Sequence, residues 1–379
     1  MPILSPRRSA RRASAMALAT ALATALATAL VLTPGAAPAT ASAPATAFHV
    51  LRPSAHPVEL RSRPRPLAVS YTYGGERRTL DDFLARTGTN GFVVLDAKDG
   101  QDIVAERYTD ATRATRFQSW SVAKSFTSAA VGVAVGEGRI RSIDEPVTAY
   151  LPELAGSGYD GVSIRDLLRM SSGIRWTEGR DVPRVQAAAN RGASLRRIAA
   201  RQERGREPGS RFEYASMNSF VLAWLVTAAT GVPYERYVES RIWRPAGMAS
   251  TARVDADGRG DSRGYCCYHA TDRDFARFGL LYLRGGRAGG RQVVPASWVA
   301  ESTRPSSAAN PRYGLHWWLG GDGGRDFMAA GFGGQYVYVS PEHQVVIVRS
   351  ARSTARPDQD EAVAAFRAAA AEVARTRHP

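Results

Sequence analysis

The sequence predicts a mixed α/β (α+β) fold: one antiparallel sheet flanked by helices, with an all-helical lobe inserted between its strands. Three observations predict it. Strand patterns occupy the first and last thirds of the chain, helical periodicity fills the middle, and the final stretch carries its apolar residues on one helical face.

At the front, Gly91–Asp96 (GFVVLD) and Ile103–Tyr108 (IVAERY) flank the turn Lys98-Asp99-Gly100 and read as a hairpin. From Val122 to Glu137 the apolar residues Val122, Phe126, Ala129, Ala130 and Val133 keep helical spacing, and Gly138 supplies a stop. Helices are also expected over Ile164–Met170, Asn218–Thr230, Pro233–Ile242 and Thr271–Leu283, the last opening on the capping pattern Thr271-Asp272-Arg273-Asp274. Strands follow over Tyr313–Leu319, Gly334–Val339 and Val345–Ser350, the last two joined at Pro341-Glu342-His343. Asp360–Arg375 places Val363, Phe366, Ala370 and Val373 on one face, as a helix lying on a sheet would. The first and last strands then share one sheet, a helical lobe over about 139–290 lies between them, and the cleft between the two parts is the natural place for a site.

Composition narrows the function. The chain has 379 residues, 44% apolar, and a formal charge of +15 that is almost all arginine, since Lys98 and Lys124 are its only lysines. The arginines are interspersed with acids, even in the dense run Arg196–Arg206, which holds Glu203. That distribution describes a solvated basic surface, and no nucleic-acid partner is expected. Arg7, Arg8, Arg11 and Arg12 precede an Ala/Leu/Thr run from Met16 to Leu32 and then small-residue sites at Ala39-Thr40-Ala41 and Ala41-Ser42-Ala43. Residues 1–43 read as a signal peptide, which places the protein outside the cell or in its envelope, with no stable membrane span after processing. The alternative is an uncleaved anchor, for which the run is short. Residues 44–76 read as a Pro/Ala-rich tether, and 77–379 as the folded domain.

Cys266 and Cys267 are adjacent. Their Cα atoms would lie about 3.8 Å apart, closer than ordinary disulfides allow; a vicinal disulfide would be strained, so buried free thiols are the default expectation. The six histidines include no HxxxH or HExxH spacing, and neither a metal nor a cofactor is expected.

Three motifs carry chemistry. In Ser121-Val122-Ala123-Lys124 the spacing of three puts an amine on the same helix face as a serine hydroxyl, where it can assist proton loss from a nucleophile. A helix start adds backbone N–H groups where an oxyanion would form. In Tyr214-Ala215-Ser216 a phenol near an ammonium can act as base and then acid, and Ser216 can bond the lysine or the substrate. Tyr214 could equally be an amphipathic residue at the start of a helix. In Gly331-Phe332-Gly333-Gly334-Gln335, glycines before a strand let substrate approach the backbone. No Gly-x-Ser-x-Gly elbow occurs.

Together these motifs resemble the serine β-lactamase and penicillin-binding superfamily, in particular its class C-like branch with the 6-aminohexanoate-dimer hydrolases and related esterases. The resemblance runs from about Arg77 to Val348. It rests on SWSVAKSFTSAAVG at Ser119–Gly132, LLRMSSGIRW at Leu167–Trp176 and FEYASMNSFVLAWL at Phe212–Leu225. TDRDFARFGLLYLRGGR at Thr271–Arg287, YGLHWW at Tyr313–Trp318 and GFGGQYVYVSP at Gly331–Pro341 complete it.

The resemblance implies a β-lactamase/transpeptidase-like fold and an acyl-enzyme on Ser121, with Lys124 as its partner and Tyr214 as general base. It also implies an oxyanion hole from the backbone N–H groups of Ser121 and Phe332, and substrate contacts from Ser216, Gly331 and Gly333. Ser216 stands where many relatives carry Asn and the dimer hydrolases carry Ser. The usual Lys-Thr-Gly motif is replaced by Gly331-Phe332-Gly333, which removes the cation that would hold a β-lactam carboxylate. The loop Trp176–Arg191 has its own sequence, in which Arg180, Asp181 or Arg184 could shape the pocket. The expected substrate is a small linear amide or ester. A D-Ala-D-Ala carboxypeptidase or β-lactamase, and a non-catalytic binding module on the same fold, are the alternatives.

Overall fold

The computed structural model describes residues 47–308, 310–321, 325–353 and 357–377. The expected signal peptide lies outside these residues.

Strands at the two ends of the chain do share a sheet. Among the described residues its order is Trp318–Leu319, Phe327–Gly331, Gln335–Ser340, Val345–Ser350, Gly91–Asp96, Asp102–Tyr108, Arg61–Ser62. Val345–Ser350 pairs antiparallel with Gly91–Asp96 in the register Val348↔Val93, which joins the last third of the chain to the first. Alternation in GFVVLD divides the sheet into two faces. Phe92 and Val94 point to a core closed by the helices Leu80–Arg86 and Gln359–Arg375, while Val93 and Leu95 point to the larger core under the rest of the protein. Phe366, expected on the inner face of the last helix, is fully buried against the rings of Phe83, Phe92, Tyr336 and Tyr338. Burying such a side chain is worth roughly 1.5–3 kcal/mol.

The helix Ala123–Gly136 crosses the larger core. It is covered all round, with every residue from Ala123 to Ala134 buried, and its only charged side chain is Lys124. Gly132 lets it approach Trp298, whose Cγ would lie 2.2 Å from an added Cβ. Helix Ser216–Thr230 packs beside it, and its C-cap Gly231 sits at φ +71°. The segment 139–290 also carries Ile164–Leu168, Tyr234–Val238 and Asp272–Leu283.

Four expectations change in detail. The inserted lobe is not all-helical, since Ala252–Asp255 and Tyr268–Ala270 form a sheet with Phe48–Leu51 and Phe117–Gln118. Residues 47–76 are not a tether. Phe48–Leu51 pairs with Ala252–Asp255, Ser70–Tyr73 with Glu76–Thr79, and Leu51, Leu60, Leu67 and Val69 are buried. Pro/Ala composition reports chain stiffness, whereas docking needs only a few well-spaced apolar residues. The strand expected over Tyr313–Leu319 shrinks to Trp318–Leu319, because His316 sits at φ +63° and turns its ring into the core. The loop expected over Trp176–Arg191 is mostly the helix Glu178–Asn190.

Candidate active site

Ser121 lies in a one-turn 3₁₀ helix, Trp120–Val122, that feeds directly into Ala123–Gly136. The turn is bolted to the neighbouring sheet, where the N–H of Ser119 donates to the Tyr268 carbonyl (2.7 Å) and the N–H of Tyr268 donates to Ser119 Oγ (3.0 Å). Trp120 adopts φ +45°, a region side-chain-bearing residues seldom occupy. Such strain persists only where the surroundings over-determine it. Here the Trp120 ring packs on Phe332 at 5.2 Å, and Gly331 presses against the turn from the strand end. The result leaves the Ser121 side chain at the floor of a cavity of about 650 Å³.

Lys124 points back to Ser121 from one turn on, and its side chain is 1% exposed. Its Nζ lies 3.0 Å from Ser121 Oγ, 2.9 Å from Ser216 Oγ and 3.0 Å from the Tyr265 carbonyl oxygen, and 5.0 Å from the centre of the Tyr214 ring. Burial pushes the amine down from its ordinary value to about 8, partly offset by the carboxylate of Glu178. Tyr214 stacks on Trp318, meets Tyr313 edge-on, and lines the same cavity as Ser121. Burial, with the Glu178 charge second, holds that phenol well above its ordinary range. Ser216 begins the helix Ser216–Thr230, so Tyr214 and Ser216 are set by one chain reversal. The N–H of Glu213 fixes this reversal by donating to the Met170 carbonyl (2.7 Å).

Gly331, Phe332 and Gly333 line the same cavity across from Ser121. A Cβ on Gly331 would lie 2.5 Å from the Ser119 carbonyl oxygen and 3.1 Å from the Ser121 nitrogen. Gly333, at φ +74°, shapes the turn between two strands and also faces the Ser353 carbonyl. Ser121, Lys124, Tyr214, Ser216, Gly331, Phe332 and Gly333 thus meet at one place. We expect Gly331→Ala to lower kcat/KM by about 10²-fold, because the three atoms that an added methyl meets, the Ser119 carbonyl oxygen, the Ser121 nitrogen and Trp120 Cβ, all belong to the Ser121 turn. Steady-state kinetics with wild-type activity would count against this contact.

Glu178 escaped the sequence reading, which weighed Arg180, Asp181 and Arg184 in the same segment. The structure turns those three away from the cavity lining. Asp181 pairs with Arg180 and accepts from the Thr177 N–H at the helix start (2.7 Å). Glu178 instead accepts from Ser216 Oγ (2.5 Å), the Ser216 N–H (2.9 Å) and Trp176 Nε1 (2.7 Å). The sequence signal was thin: a carboxylate two residues beyond the end of LLRMSSGIRW.

The cysteines also differ from expectation. Cys266 and Cys267 are joined as a vicinal disulfide with Cα atoms 3.7 Å apart, and Cys266 lines the cavity. The vicinal link forms in place of the expected free thiols, with Cys267 at φ +78°. His316 is a structural residue: its ring bonds Leu168 O (2.7 Å) and Ser219 Oγ (2.9 Å), and burial, with the Lys124 charge, lowers it to about 3.

The profile of the Beta-lactamase family matches residues 77–372. The chain belongs to that family. It is a serine hydrolase of the β-lactamase fold. Among curated β-lactamase-family relatives, the 6-aminohexanoate-dimer hydrolase of Paenarthrobacter ureafaciens is 32% identical over 296 residues, covering 71% of this chain and 74% of that protein. A D-aminopeptidase of Brucella anthropi is 33% identical over 172 residues, 42% of this chain and 32% of its own length. Among solved structures, a Bacillus anthracis protein provisionally assigned as a 6-aminohexanoate-dimer hydrolase superposes with a TM-score of 0.77. The match is at 23% identity and covers 87% of this chain and 90% of that one, which speaks for the shared fold.

Proposed function

We propose that the protein cleaves a small linear amide or ester through an acyl-enzyme on Ser121, with the Lys124 amine as the group that takes the serine proton. The observation that carries this reading is the set of partners around Lys124 Nζ. A neutral amine has two N–H donors and one lone pair. The Tyr265 carbonyl can only accept, and Ser216, which gives its own proton to Glu178, accepts as well. Both N–H groups are thereby used, and the lone pair is left for the Ser121 hydroxyl at 3.0 Å.

The sequence reading gave the base role to Tyr214. Electrostatics favour a different division, since burial and the Glu178 charge disfavour a phenolate there while the amine is held near neutrality. Tyr214, as a neutral phenol beside Ser121, suits a relay: it passes its proton to the leaving group as it takes up the one held by Lys124, so no phenolate accumulates. Ser121 Oγ attacks the carbonyl carbon, and the developing oxyanion meets the backbone N–H groups of Ser121 and Phe332. Collapse expels the amine or alcohol, and water then releases the acyl group by the same proton path in reverse. Ser216, Gly331 and Gly333 border the acyl chain, and export, as the sequence suggests, would place this hydrolysis outside the cytoplasm.

The amide preference draws on the dimer-hydrolase relative. The cavity wall suits an apolar acyl chain: Val182, Pro183, Trp318 and Phe332 line it, and among the described residues its lining holds no arginine or lysine. A panel of p-nitrophenyl acyl esters, the linear dimer of 6-aminohexanoate and nitrocefin tests the proposal. Turnover of esters or dimer with little hydrolysis of nitrocefin is expected; efficient nitrocefin hydrolysis alone would overturn the substrate assignment.

Glu178 is a positioning residue in this scheme. Glu178→Gln should lower kcat about tenfold, because an amide offers one acceptor where three donors converge. It should also move the acidic limb of the pH–rate profile to lower pH, since the carboxylate charge is what raises the Lys124 amine against burial. An unshifted limb would remove Glu178 from the mechanism.

A further inference from the structure

We infer that Cys266 and Cys267 are a thiol–disulfide exchange site in the cavity wall, opened by a small dithiol that enters through the cavity, and that opening it slows the enzyme. The effect on rate rests on the reading of Ser121 and Lys124 given above; the exchange itself does not.

Position carries the argument. The two sulfurs face different neighbours: Gln186 Nε2 lies 3.6 Å from Cys266 Sγ, on the cavity side, and Gln118 Nε2 lies 3.5 Å from Cys267 Sγ. Both residues are buried, but only Cys266 lines the cavity, so a reagent entering there meets Cys266 first. The pair also sits between the two contacts that place the reacting groups. One residue before it, the Tyr265 carbonyl accepts from Lys124 Nζ at 3.0 Å. One residue after it, Tyr268 exchanges two hydrogen bonds with Ser119, at the turn that carries Ser121. Cys267 itself stands at φ +78°, where a side-chain-bearing residue stays only if held. The covalent link to Cys266 is one of the holds.

The exchange balances without any group the protein lacks except the dithiol. A reagent thiolate attacks Cys266 Sγ, the Cys266–Cys267 bond breaks, and Cys267 leaves as a thiolate that takes a proton. The second reagent thiol then attacks the mixed disulfide, releasing Cys266 as a thiol and the reagent as a cyclic disulfide. The reagent loses two electrons, and the protein gains two electrons and two protons. Released from the link, Cys267 can relax toward negative φ, which shifts the Tyr265 carbonyl relative to Lys124 Nζ. A positioning error of this kind is expected to lower kcat about tenfold.

The experiment alkylates the folded protein with iodoacetamide before and after dithiothreitol, reads intact mass, and follows ester turnover and circular dichroism in parallel. Expected are no added groups before reduction, two after it, turnover about tenfold lower with an unchanged spectrum, and recovery on reoxidation. Occupying Ser121 with a phosphonate should slow the reduction, because it blocks the cavity. The double variant Cys266→Ala, Cys267→Ala should show turnover that dithiothreitol does not alter. Alkylation of both cysteines without reductant would overturn the site. Full reduction with unchanged turnover, or equal inhibition of the double variant, would overturn its effect on rate. A protein inactive in both states would sink the functional reading, whereas the alkylation count would still decide the exchange site.

Discussion

Ser121→Ala is expected to lower kcat for ester and amide substrates by about 10⁵-fold, the scale seen when a unit of nucleophile and base loses its nucleophile. The fold should survive. Ser121 is half-buried beside a cavity, so the substitution removes one oxygen without opening a hole in the core. KM should change far less than kcat, since the apolar wall that borders the substrate is untouched. Steady-state kinetics on ester substrates, with thermal unfolding as a control, separate this outcome from simple loss of structure. Residual activity within tenfold of wild type would mean that another group attacks.

The second large effect belongs to Lys124. Its amine is held near 8 by burial. Below that pH it is protonated and has no lone pair to accept the Ser121 proton; above it the neutral form dominates. The wild-type kcat/KM should therefore rise with pH through about 8 and level off, until other groups titrate. Lys124→Met should lower kcat/KM by about 10³-fold and abolish that rise. The variant should not melt earlier than wild type, because a buried amine carries a desolvation cost that an apolar side chain of similar length does not. A flat wild-type profile between pH 6.5 and 9, readings spaced about half a unit apart around the ordinary amine shift, would contradict the assignment of the base. Full pH–rate profiles for both proteins decide the point.

These two residues were legible in the sequence because their relation is local: three positions apart on a helix fixes their common face whatever surrounds them. The sheet was legible for a similar reason. The continuous apolar run of GFVVLD marks a strand covered on both faces, and the one-faced pattern of Val363, Phe366, Ala370 and Val373 records which side of the last helix is buried. Glu178 was not legible, because nothing in its neighbourhood encodes that its oxygens meet Ser216 from a different element. The Tyr265 carbonyl was still less so, since any backbone carbonyl has the same chemistry and only tertiary placement selects it. Two general rules misled. Proline and alanine in residues 47–76 hid the buried leucines that dock the segment, and the usual Cα separation of disulfides weighed against a vicinal pairing that the backbone accommodates with Cys267 at positive φ.

The central claim is that Ser121 forms a covalent bond with substrate-like electrophiles through the site built around Lys124. Incubating the protein with a fluorophosphonate and mapping the modified peptide tests it most directly. The account predicts one phosphonyl group per chain, on Ser121, absent from Ser121→Ala and strongly slowed in Lys124→Met. Equal labelling of wild type and Ser121→Ala, or a label on any other residue, would contradict it.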